Sequence, residues 1–401
     1  MSIKNNKHKI KCIILCINFL YFIGVLIKES KIIFIIKFII YYIKSHKEFI
    51  NTEKYLELCN NNTFTILDKF EKSQNPKISI ISPVFNRQRY ILRFIKSIQN
   101  QDFQDIEIIF INDFSEDKSI EIMQEYQNID KRIKLINNKQ NKGTFITRNL
   151  GVLYAKGKYI ILPDPDDIIS KHILSVCYKY AEKYDYDIIK FNVYLGNGIL
   201  VFNELYRSLV NKKVYFPNLS TYIYYGKDNE LLIIDYYLCN KFIKKEIFIY
   251  AINYLSKNYM NKYIIFSEDS MMNYIIFRIA RSFYYLNKIG YYYVRNNLSI
   301  TQNLFHKSAI RTDMIFIYLK LVFEYSKNNK YEKDMSNFLF TNFNSRFNIP
   351  WRISTFNHDI KFYLDIINDY LNCKFIKDAL NKDYLYLLKN LLLNKIYFRN
   401  D

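Results

Sequence analysis

Between residues 77 and 193, short apolar runs alternate with amphipathic stretches, and this alternation restricts the fold more than any other feature of the chain. Residues 77–83 (KISIISP) read as a short buried strand ended by Pro83. Residues 90–100 carry Ile91, Phe94, Ile95 and Ile98 at helical spacing. Further strands are predicted at 106–111, 133–136, 159–162 and 187–193, and further helices at 119–127 and 147–155. Strand and helix in strict succession predict an α/β fold, an open and mostly parallel sheet flanked by helices. In such sheets ligands bind beyond the carboxyl ends of the strands. The residues just after each strand are therefore the candidates for function.

Three of these strand ends are informative. Pro83-Val84-Phe85-Asn86 follows the first strand, and Asn112-Asp113-Phe114-Ser115-Glu116-Asp117 follows the second. Pro163-Asp164-Pro165-Asp166-Asp167 follows the fourth. Clustered carboxylates repel unless a cation joins them. A hard divalent ion suits oxygen ligands, and Mg2+ or Mn2+ held by one or two carboxylates is usually completed by water and phosphate oxygens. In an extended chain Asp164 and Asp166 would point to one side. Asp-Pro-Asp-Asp is also good turn and helix-cap chemistry, so the motif alone leaves both readings open.

The segments ISIISPVFNRQRYILRFIKSIQNQ, IEIIFINDFSEDKS and NKGTFITRNLGVLYAKGKYIILPDPDD together resemble family 2 glycosyltransferases. YYLCNKFIKKEIF and SEDSMMNYIIFRIARSFYYLNKIGYYYVRNNLSIT extend the likeness more loosely, to about residue 303. The resemblance implies a GT-A fold, a Rossmann-like, mixed and mostly parallel nucleotide-diphospho-sugar transferase sheet. It is closest in kind to non-processive, capsular-polysaccharide-type enzymes. It further implies that Pro83, Val84 and Phe85 line the nucleotide base and that Asp113 accepts a hydrogen bond from the base edge. Arg148, in a stretch matching the family's Ala-Arg-Asn, would reach the nucleotide. Asp164 would contact ribose or metal, and Asp166 would be the principal ligand of Mn2+ or Mg2+. Asp269 would be the catalytic base with Glu268 beside it, although Glu-Asp before an amphipathic run is also ordinary helix-start chemistry. Phe114 departs from the family, which usually has Gly there. A Gly needed for positive φ is not replaced without cost, which puts the loop shape in doubt.

The implied activity is a metal-dependent, inverting transfer of one sugar from a nucleotide-sugar donor, a UDP-sugar by family habit, to a hydroxyl on a glycan, lipid or protein. The alternative is a membrane-tethered relative that binds nucleotide or glycan without turnover. No Gln-x-x-Arg-Trp motif is present, and no series of apolar spans follows residue 43, which argues against a processive synthase.

The rest of the chain adds context. Residues 10–27 are apolar except for Lys11 and Asn18. Eighteen helical residues rise about 27 Å, against a bilayer core of about 30 Å. Without a clear cleavage site, residues 1–43 are expected to be an uncleaved single-pass anchor. It would sit in the Golgi or endoplasmic reticulum of a eukaryote, or the cytoplasmic membrane of a bacterium. Residues 44–76 read as a stem, 77–303 as the catalytic domain and 304–401 as a helical extension. The net charge of +20 comes from scattered lysines in a chain rich in Ile, Asn, Lys and Tyr, so no nucleic-acid partner is expected. Six cysteines at 12, 16, 59, 177, 239 and 373 form no CxxC pair and predict neither a disulfide framework nor a zinc site.

Overall fold

The computed structural model describes residues 70–195, 199–201, 213–215, 237–259 and 268–294. The expected anchor, most of the stem and the C-terminal extension lie outside the described residues. Among the described residues no helix is long and apolar enough to cross a membrane.

The elements succeed one another as β1 (Ile78–Val84), α1 (Ile91–Gln99), β2 (Ile106–Asn112), α2 (Ser119–Ile129), β3 (Ile133–Asn137), α3 (Thr144–Tyr154) and β4 (Tyr159–Ile161). Then follow β5 (Ile168–Ile169), α4 (Ile173–Tyr184), β6 (Ile188–Leu195), β7 (Ile199–Val201) and β8 (Lys213–Tyr215). Last come β9 (Lys241–Lys244), α5 (Lys245–Tyr259), α6 (Glu268–Ile279) and β10 (Ser282–Tyr293). They build one mixed sheet in the order β3-β2-β1-β4-β9-β6-β10-β5, with β7 on β6 and β8 on β10. The first four strands run parallel. Antiparallel pairing begins where β9 enters between β4 and β6.

The central strands are buried along their length because helices cover both faces. All seven residues of β1 are buried, which is why their sequence reads as a continuous apolar run rather than an alternation. Ile91, Phe94, Ile95 and Ile98 of α1 are almost wholly buried in the core. Each such side chain contributes about 1.5–3 kcal/mol by leaving water.

Pro83 does not end β1, contrary to expectation. The strand runs on to Val84, with Pro83 paired to Ile111 in register. Val84 C=O accepts the Asp113 N–H at 2.8 Å, so alternation turns the hydrogen-less Pro83 nitrogen to the other side. There the pairing with β4 has already stopped at Ile80 and Ile161, so no ladder bond is lost. Helix α3 also starts three residues earlier than its periodicity suggests, directly after Gly143 at φ 83°.

Gly151 sets how deeply α3 lies on the sheet. A Cβ there would stand 2.4 Å from both Ile111 Cδ1 and Ile81 Cγ2. Gly151→Ala is therefore expected to cost about 1–3 kcal/mol by overpacking, read as a lower denaturant midpoint. An unchanged midpoint would show that the helix can lift off the sheet freely.

Candidate active site

Because β2, β1 and β4 are adjacent and parallel, their carboxyl ends open on one edge of the sheet. At the end of β1, Pro83 and Val84 are buried in the sheet, and of the expected trio only Phe85 presents surface, at 40% exposure. At the end of β2, Asp113 is buried and its carboxylate is occupied. Oδ1 accepts Asn138 Nδ2 at 2.8 Å and Lys142 N at 2.9 Å, and Oδ2 accepts Gly143 N at 2.9 Å. Asp113 thereby holds the loop that launches α3.

Phe114 adopts φ 66° and is 48% exposed. The position thus keeps the left-handed backbone that a glycine would give, at a strain of about 1–2 kcal/mol for an ordinary side chain. Its neighbours enforce it. Asn112 Oδ1 accepts Ser115 N at 3.1 Å, and Ser115 Oγ accepts Asn86 N at 3.1 Å.

The acidic run after β4 divides into three fates. Asp164 lies past the end of β4, and Pro165 and Asp166 form a turn before β5, so the two carboxylates are not aligned by simple strand alternation. Asp164 Oδ1 pairs with Arg148 Nη2 at 3.0 Å. Asp166 Oδ2 lies 3.5 Å from Arg87 Nε. Asp167 is buried and locked structurally: it accepts Tyr291 Oη at 2.6 Å and Val294 N at 2.8 Å. It fastens the end of β10 instead of capping its own turn.

Arg148 is the centre of the arrangement. It lies one helical turn before Gly151, is 4% exposed, and reaches three carboxylates on two other elements. Nη1 meets Asp269 Oδ1 at 2.5 Å and Glu268 Oε1 at 3.4 Å, while Nη2 meets Asp164. Glu268 and Asp269 open α6, where carboxylates also complement the helix dipole. Asp269 Oδ2 accepts Leu238 N at 3.2 Å. Arg148 thus joins the end of β4 to the start of α6, and its guanidinium is committed to protein carboxylates.

The electrostatics follow from one guanidinium among three partly buried acids. Burial alone would pull the Arg148 pKa down, but Asp269, Asp164 and Glu268 outweigh it and push it up. Burial raises Glu268 to about 8, assisted by Asp269 and opposed by Arg148. Burial raises Asp164 to about 6, against Arg148 and with Asp269 and Asp166. The 36% of the Asp164 side chain that meets solvent tempers that rise. Three acids thus surround one guanidinium. Among the described residues no group of three or more His, Cys, Asp or Glu forms a metal cage. Asp164 and Asp166 are the two carboxylates at this edge that could engage a divalent ion, and each is paired with an arginine here.

Tyr291, Arg87 and Leu238 belong to this site and were missed in the sequence. Tyr291 Oη also accepts Asp164 N at 3.0 Å. Three consecutive tyrosines at 291–293 gave no sign of which one turns inward.

Residues 79–250 match the profile of glycosyl transferase family 2. They are a family 2 glycosyltransferase domain. The chain is 32% identical over 117 residues to glycosyltransferase GlyG of Streptococcus pneumoniae, covering 29% of this chain and 39% of GlyG. It is 29% identical over 293 residues to a cholesterol galactosyltransferase of Borreliella burgdorferi, covering 69% of this chain and 78% of that protein. Several curated relatives are matched over only about two fifths of their own length. The structure of S. aureus TarS residues 1–349 in complex with UDP-GlcNAc superposes with a TM-score of 0.54 at 18% identity, over 76% of this chain and 82% of that one. At that identity the likeness carries the fold of the family 2 domain.

Proposed function

We propose that the family 2 domain transfers a single sugar, with inversion, from a nucleotide-sugar donor of the UDP class to a hydroxyl of a glycan or lipid. The observation that carries this reading is the Arg148 guanidinium. It holds Asp164, on the donor edge of the sheet, and Asp269, on a separate helix, in one hydrogen-bonded unit.

In this reading Asp269 is the general base. A carboxylate offers about four lone-pair sites, and the protein donors shown here take two, from Arg148 and Leu238. The remainder is open to an acceptor hydroxyl proton. Glu268 is the less suited of the pair, because burial and Asp269 favour its protonated form near neutral pH. Asp166 and Asp164 would hold Mg2+ or Mn2+, which supplies charge stabilisation to the departing nucleoside diphosphate. Arg87 and Arg148 hold those two carboxylates meanwhile and limit their mutual repulsion. Phe85 offers an aromatic face to the base. A tether through residues 10–27 would bring the domain to a membrane-borne acceptor, a reading that rests on the sequence of that run.

The test is a panel of nucleotide sugars with and without Mn2+, read by release of nucleoside diphosphate. One donor should be turned over only with the metal, and Asp166→Ala should lower that rate about 100-fold or more. Normal turnover by the Asp166→Ala protein would remove Asp166 from the metal site. Failure of every donor would favour a binding protein without catalysis.

A further inference from the structure

Phe114 is strained and exposed at once. Its φ is 66° and nearly half of its surface meets solvent. A glycine would relieve the strain and remove the exposed ring together, so the folded state alone does not account for this side chain. The loop cannot relax around it. Asp113 is fixed by three protein donors on one side, and Ser115 is fixed by Asn112 and Asn86 on the other.

Strand order places this residue. Val84 pairs with Asn112 at the ends of β1 and β2. Phe85 follows β1 directly, and Phe114 is the second residue after β2. Two large exposed aromatic side chains therefore leave the carboxyl ends of adjacent strands, on the edge that also carries Asp164. Two rings at such an edge suit a flat, weakly hydrated ligand group, and a nucleobase is the flat part of a nucleoside diphosphate.

We infer that Phe114 is a binding residue for the nucleobase, adding a second aromatic contact to that of Phe85. The inference rests on the nucleotide-sugar reading above. Stacking depends on the ring face more than on its hydrogen-bonding edge. Phe114 thus contributes affinity for the nucleoside and none for the diphosphate.

The experiment measures calorimetric binding of UDP, GDP, ADP, CDP and inorganic pyrophosphate, each with Mn2+, together with thermal melting. Four proteins are compared: the full chain, Phe114→Gly, Phe114→Ala and Phe114→Tyr. Phe114→Gly should melt higher yet bind the preferred nucleoside diphosphate about tenfold more weakly. Phe114→Ala should lose the same affinity without the gain in melting temperature, and Phe114→Tyr should bind as the parent does. Pyrophosphate affinity should be alike in all four. If Phe114→Gly binds the nucleotide as tightly as the parent, the inference is overturned and the nucleotide-sugar reading stands. Equal losses for nucleotide and pyrophosphate would also overturn it, since the ring would then act on loop shape. If the parent chain binds none of the four nucleotides, both readings fall.

Discussion

Asp269→Asn is expected to slow sugar transfer by about 100- to 10,000-fold, the usual worth of a positioned general base, while nucleoside diphosphate binding stays near that of the parent. The asymmetry follows from the structure. Asparagine has the same shape, and its carbonyl oxygen can keep one of the two donors Asp269 accepts, Arg148 Nη1 or Leu238 N. Arg148 keeps Asp164 and Glu268 as partners, so its charge remains compensated. What is lost is a group able to take a proton from an acceptor hydroxyl. Calorimetric binding of UDP beside nucleoside diphosphate release in a transfer assay separates the two effects. Unchanged turnover would remove Asp269 from the mechanism, and lost binding would make it a scaffold for the donor edge.

Arg148→Met should be the most damaging single substitution for stability. Removing one partner of a buried ion pair costs about 3–5 kcal/mol, because the other charge is left without compensation. The lower end of that range is expected here, since Asp164 and Asp269 keep 36% and 23% of their side chains in solvent. The loss should depend on pH, and its sign is fixed by Glu268. This carboxyl already stands at about 8 instead of its ordinary 4.5 with Arg148 present, and losing the guanidinium pushes it higher still. An acid with a raised folded-state pKa is compatible with folding while protonated, and its burial opposes folding increasingly as pH climbs from 4.5 toward 8. Arg148→Met should therefore fall furthest below the parent at pH 8 and recover part of the gap near pH 5. Urea unfolding at the two pH values measures this. A deficit that does not change with pH would mean that the cost is packing and not charge.

Arg148 also shows how sequence reading and structure diverge. The match to Ala-Arg-Asn marked it as a residue of interest and pointed it at the nucleotide. Its partners, Asp164, Glu268 and Asp269, lie 16 to 121 residues away, and no local spacing encodes such a meeting. Asp113 is similar. Its place after β2 was legible, but its saturation by Asn138, Lys142 and Gly143 depends on how the following loop folds back. The doubt about Phe114 had the opposite outcome. The positive φ that a family glycine would supply is present, imposed on a phenylalanine by bonds to both neighbouring residues.

By itself the sequence determined the strand–helix succession of residues 77–193, because apolar periodicity and strand-end chemistry are local properties written in consecutive residues. It also determined which strand ends carry acids, and with them the family of the domain. Only the tertiary structure decided that Asp167 fastens β10, that Tyr291 enters the site and that one arginine unites the two sides of the proposed chemistry. Those facts depend on the order of strands in the sheet and on the depth at which Gly151 lets α3 rest. Both are settled by packing between distant segments, where burial and charge compensation outweigh anything a neighbouring residue can specify.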